Sequence, residues 1–270
     1  MCGVNKKSYV CTENPSVGKL AAKNKGNNKI IIMNEERLYR MIDEKEGTVA
    51  RAFPSLMRKV YLWMALALVI TGFTAFGVAT NPGLAYAIVT NKLLFWGLII
   101  AEFGLVIAIS GAINRLSATT ATLLFVLYSI VNGATLSVIF LAYTLTSIAS
   151  VFFITAGLFA VMAFIGYTTK TDLTSMGKIL MMAVIGIVLA TVVNIFVGSS
   201  MLTMIVSYVG VVVFTGLTAY DSQKIKNMLY DADDADESMQ KVALLGSLTL
   251  YLDFINLFLM LLRIFGNNRD

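Results

Sequence analysis

Seven apolar runs, each long enough to cross a bilayer, leave this chain few folds to choose from. They extend roughly from Leu56 to Thr80, Leu93 to Ile113, Ser117 to Tyr143, Ile148 to Thr168, Met176 to Val197, Met201 to Ile225 and Lys241 to Phe265. A helix rises 1.5 Å per residue, so about 20 residues cover a hydrocarbon core of roughly 30 Å. The ten-residue alternation of a membrane barrel does not occur. The expected fold is therefore all-α, a polytopic membrane protein with a seven-helix bundle. A composition of 57% hydrophobic and 14% charged residues agrees with this.

Charge divides the chain into parts. Residues 1–32 carry six lysines (Lys6, Lys7, Lys19, Lys23, Lys25 and Lys29) against one acid, Glu13, which accounts for the whole net charge of +5. This stretch, rich in Asn, Lys and Gly, reads as a disordered basic leader. Residues 33–53 read as a short cytoplasmic amphipathic segment, with Pro54 marking the start of the first span and 54–270 forming the membrane domain. The rest of the chain, residues 33–270, is charge-neutral, so the basic balance argues for anionic lipid beside the leader and gives no case for nucleic acid. Arg51, Arg58, Lys59, Arg115, Lys170, Lys178, Lys224, Lys226 and Lys241 fall on one side of the bundle, against Lys92, Arg263 and Arg269 on the other. That bias predicts a cytoplasmic N-terminus. A re-entrant last segment would return Arg263 and Arg269 to the cytoplasm; seven full spans are favoured, because 25 apolar residues can cross.

The chain has no histidine, and its two cysteines, Cys2 and Cys11, both lie in the leader. Ser-His hydrolases, His-ligated zinc sites and a disulfide framework in the core are thereby excluded. No nucleophile–base pair or metal cluster is legible, so neither an enzyme nor a bound cofactor is expected. The acidic run Asp231–Glu237 lacks the glycine and ligand spacing of an EF-hand and reads as a solvated loop.

Three acids lie inside apolar runs: Glu102, Asp221 and Asp253. An ionisable group at membrane depth costs at least about 2.5 kcal/mol, and so faces a protein interior or a wet cavity. Counted from their shared loop, Asp221 and Asp253 lie about 15 and 18 Å deep, level to within one turn. If their helices are neighbours, the carboxyls can face each other. Thr249, Asp253 and Asn256 share one stripe of the last helix, and Thr218, Asp221 and Lys224 recur on the one before it. In the competing reading, Asp221 is merely solvated and Asp253 is capped by Asn256 and Thr249. Paired carboxyls in a dry site share a proton and titrate together, which makes a pH sensor without histidine and, once deprotonated, offers hard oxygens to a cation such as Ca²⁺. Arg115 could latch Asp221 or simply snorkel; Glu102 could line a pathway or be a structural acid.

The stretches NRLSATTATLLFVLYSIVNGATLSVIF (Asn114–Phe140), TAYDSQKIK (Thr218–Lys226) and LYLDFINLFLMLLRIFG (Leu250–Gly266) closely resemble the Bax inhibitor family, also called the transmembrane Bax inhibitor motif family, in its bacterial membrane members. The resemblance extends from about Met33 to the end of the chain. It implies a bundle with the last helix central, an aspartate pair corresponding to Asp221 and Asp253, an arginine corresponding to Arg115, and a pH-sensitive calcium leak. Other readings from the residues are a proton-coupled carrier using Asp221, Asp253 and Glu102, and a non-transporting regulator of membrane protein complexes. The expected partners are the lipid bilayer, Ca²⁺, protons and possible membrane proteins, and the expected location is the bacterial inner membrane.

Overall fold

The computed structural model describes residues 11–14, 19–23, 30–33, 35–230 and 237–268, with side chains from Phe53 onward. Two compact units are distinguished, Met1–Ala52 and Phe53–Asp270. In the first, β1 (Cys11–Asn14), β2 (Lys19–Lys23) and β3 (Ile30–Met33) pair antiparallel in the order β1-β2-β3. The leader was expected to be disordered, and its described parts are strands. The overlooked signal is Ile30-Ile31-Ile32, a β-branched run whose stiff side chains favour extended backbone.

Helix α1 (Glu35–Thr80) contains Pro54 within it. The apolar span within it opens at Phe53, beside the proline read as marking its start, and the helix itself continues back to Glu35. Next come α2 (Pro82–Thr90), α3 (Lys92–Ala112), α4 (Ala118–Leu136), α5 (Ile139–Ala142), α6 (Leu145–Thr168), α7 (Thr174–Val197), α8 (Ser200–Tyr230) and α9 (Glu237–Phe265). Seven of these segments are long and apolar enough to cross a membrane, α4 and α5 together making one of them. Each expected span has its counterpart, so the all-α membrane fold holds for the second unit.

The turns explain where the helices begin. Asn81 caps α2 by accepting from the Gly83 and Leu84 amides, with Pro82 preset for the first turn; Asn91 does the same for α3 through Leu93 and Leu94. Helix α2, nine residues between the first two spans, was not anticipated, because its apolar sequence is too short to stand out as a run. Gly198, at φ 66°, closes α7 in the left-handed conformation that a side chain would strain.

The last helix is continuous and runs the full length of the bundle. At its start, Glu237 accepts from the amide of Ala118, the first residue of α4, at 2.9 Å. At its end, the Asn267 carbonyl accepts from Thr144 N and the Asn267 amide donates to Ser147 Oγ, beside the α5–α6 turn. The ends of α9 therefore meet opposite ends of the α4–α5 span, which excludes a re-entrant segment. Over its apolar window α9 is 67% buried, against 39% for α8 and 6% for α3 and α7. Outward faces are apolar: Phe73, Leu93 and Phe196 are 76%, 84% and 86% exposed, as suits side chains meeting lipid.

Candidate functional site

Helix α8 is clasped between α6 and α9 at two glycines. A Cβ on Gly166 would fall on the Ala219 carbonyl, and one on Gly246 would lie 3.0 Å from Ile225 Cγ2. Absent side chains let the backbones approach at the level of Asp221. The result is that Asp221, 6% exposed, and Asp253, 5% exposed, are hydrogen-bonded to each other through their side chains. Such a bond needs a proton on one of the two carboxyls. Asp253 Oδ2 is buried and has no hydrogen-bond partner among the described residues.

The other predicted residues divide. Thr249 Oγ1 donates to the Leu245 carbonyl and Asn256 Nδ2 to the Leu252 carbonyl, so both spend these donors on their own helix and do not cap Asp253. Lys224 is the cation acting on Asp221, while also lying 5.7 Å from the centre of the Tyr220 ring. Arg115 sits exposed in the turn after α3, and among the described residues no ion pair joins it to Asp221. Within the acidic run, positions 231–236 lie outside the described residues; Glu237 pairs with Lys241 at 3.7 Å. Among the described residues no group of three or more Cys, Asp or Glu side chains could hold a metal ion.

Glu102 belongs to a second buried polar arrangement. Its Oε2 accepts from Asn132 Nδ2 at 3.3 Å, while its Oε1 is buried without a hydrogen-bond partner among the described residues. Asn132 Oδ1 accepts from the Tyr251 hydroxyl at 2.9 Å, and that hydroxyl meets Thr71 Oγ1 at 2.7 Å. The chain joins α3, α4, α9 and α1, and it reaches α9 two residues before Asp253. Tyr251 is fully buried, edge-on to the rings of Phe125 and Tyr128. Thr71, Asn132 and Tyr251 had no functional role in the sequence analysis. The available signal was a tyrosine and an asparagine inside apolar runs, each obliged to find a partner when buried.

Outside the spans, Asp172 caps the α6–α7 turn. Bonds from the Thr174 side chain and amide hold its carboxyl below the usual carboxylate range.

Comparison with known proteins matches the sequence that builds this unit to a family. Residues 54–270 match the family described as inhibitor of apoptosis-promoting Bax1. The chain is 53% identical to the Escherichia coli inner membrane protein YbhL over 214 residues, covering 79% of this chain and 92% of that protein. A Borreliella burgdorferi protein is 48% identical over 214 residues, with 79% and 92% covered, and one from Rickettsia prowazekii is 42% identical over 227, with 84% and 95% covered. The motifs around Asp221 and Asp253 and the match over the whole seven-helix unit lead to one conclusion: the chain belongs to the Bax inhibitor family.

Proposed function

We propose that the protein is a pH-sensitive calcium leak channel of the bacterial inner membrane, with its N-terminus in the cytoplasm and α9 as the central element of the bundle. The observation that carries this reading is the buried hydrogen bond between Asp221 and Asp253. With a proton present, the bond ties α8 to α9 and the pathway is closed. Without it, two like charges a few Å apart in a dry site repel, and four carboxylate oxygens become available to a divalent cation. The helix pair is the bistable element, and the proton is its switch. The inner-membrane location rests on the likeness to YbhL and on the seven spans; the sidedness rests on the distribution of Lys and Arg. Neither a cofactor nor an enzymatic reaction forms part of this reading.

The test is calcium flux from vesicles containing the purified protein, measured across pH. Passive flux that rises with pH and loses this dependence in Asp253→Asn supports the reading. Saturating flux with counter-transport would instead make the protein a proton-coupled carrier, and no flux at any pH would favour a regulator of membrane protein complexes.

A further inference from the structure

A cavity of about 490 Å³ lies between α1 and α6, walled almost entirely by apolar atoms and open at the side, where Phe152 and Phe164 of its lining are exposed along the α6 span. Along α1 its lining is Met57, Tyr61, Met64 and Leu68; along α6 it is Ala156, Ala160, Ala163 and Tyr167. Both sets recur at steps of four, three and four residues, the spacing of a helix–helix seam. Small residues on such a seam ordinarily bring two membrane helices together. Here the alanines face the bulkier α1 stripe across a gap, with Phe254 of α9 among the residues lining it.

The gap has a polar end and an apolar end. Exposed Arg58 lines it beside Met57, and Lys226 stands at the same end, its Nζ donating to the Tyr167 carbonyl at 2.7 Å and lying 5.3 Å from that ring's centre. No charged residue lines the far end, by Leu68 and Phe152. From Met57 to Leu68 the helix rises about 16 Å, close to the thickness of one leaflet's hydrocarbon, half of roughly 30 Å. A slot one leaflet deep, apolar along its length, laterally open and cationic at its rim matches a lipid with an acidic headgroup.

We propose that this groove binds one anionic phospholipid, its acyl chain lying between the α1 and α6 stripes and its phosphate held at Arg58. The chain would cover Phe254, next to Asp253, and so shield the carboxyl pair from that flank of the bilayer. The choice of a phospholipid follows from the lateral opening, through which a leaflet lipid can insert one chain while its headgroup stays at the surface. A basic side chain near the membrane surface contributes about fivefold in affinity for acidic lipid.

Native mass spectrometry of the full-length protein, extracted from vesicles of equal phosphatidylglycerol and phosphatidylcholine, provides the test. The wild type is expected to retain one phosphatidylglycerol in preference to phosphatidylcholine. Arg58→Gln should lose about fivefold of that preference while still holding a lipid. Ala160→Phe, which fills the groove, should hold neither, whereas Gly157→Ala on the open face of α6 should match the wild type. Melting temperatures of all four proteins separate loss of lipid from loss of fold. Equal retention of both lipids by the wild type, a free fatty acid in place of a phospholipid, or an unchanged preference in Arg58→Gln would overturn the proposal.

Discussion

Asp221 on α8 and Asp253 on α9 hydrogen-bond each other inside the bundle, each at most 6% exposed. Alone, each would bury a carboxyl without its partner in an apolar medium; paired, Asp253 Oδ2 still lacks a hydrogen-bond partner among the described residues. The pair solves the burial problem only while it holds a proton, which makes it responsive to pH.

Asp221→Asn and Asp253→Asn should both abolish pH-dependent calcium flux. An amide donates a hydrogen bond at any pH, so either variant imitates the protonated pair, and flux at alkaline pH should drop to its acid level. In the wild type a one-proton switch can change flux by at most about tenfold per pH unit. Asp172 provides the control: its depressed pKa leaves it ionised down to strongly acid pH, and any stability it lends is lost only as pH falls through that low value. Asp172→Asn should leave the flux profile unchanged between neutral and weakly acid pH.

Gly166→Ala should be far worse tolerated than Gly157→Ala, although the two lie on the same helix. The first places a methyl on the Ala219 carbonyl and must pry α6 from α8; the second meets nothing within 4 Å. Overpacking of this kind costs about 1–3 kcal/mol, while an alanine in an open helical position gains about 0.5–1 kcal/mol. Thermal unfolding in detergent reads the difference, and equal melting temperatures would contradict the close approach.

A double-mutant cycle of Tyr251→Phe and Thr71→Val measures the polar chain between α9 and α1. Hydrogen bonds between membrane helices couple by about 0.6 kcal/mol and reach about 1.7 kcal/mol. Tyr251 also serves Asn132 and Thr71 also serves the Ser129 carbonyl, so each single variant should cost more than the coupling alone. A coupling of zero would remove the network from the stability of the bundle.

Glu237→Ala should loosen the start of α4 from a distance. The Ala118 amide loses its acceptor, while Ser117 still caps Thr120 N. Hydrogen exchange should accelerate severalfold at Ala118 with the centre of α9 unchanged; uniform acceleration along α9 would show a different, global effect.

Much of the membrane unit was legible because the bilayer is a stern solvent. Every span had to be helical and apolar over a sufficient length, so the runs marked the spans within a few residues. The level of Asp221 with Asp253 followed from counting turns. Other features escaped for local reasons: α2 lacked the length of a run, and Asn132 and Tyr251, single polar side chains in apolar runs, acquire their partners only when the helices pack. Thr249 and Asn256 shared the stripe of Asp253 but turned their donors to backbone carbonyls, because a helix offers a polar side chain an acceptor one turn back.

Sequence alone determined the all-α membrane class, the approximate spans, the exclusion of histidine chemistry and the two aspartates worth watching, since these depend on hydropathy, helical rise and residue type. Tertiary structure decided that α9 runs the full length of the bundle, that Asp221 meets Asp253 while Arg115 stays apart, that Glu102 connects to Tyr251, and that α1 and α6 leave a groove. Those outcomes depend on which helix faces packed together. Helical period places side chains on a face, but only the approach of a neighbour, as at Gly166 and Gly246, selects what that face meets.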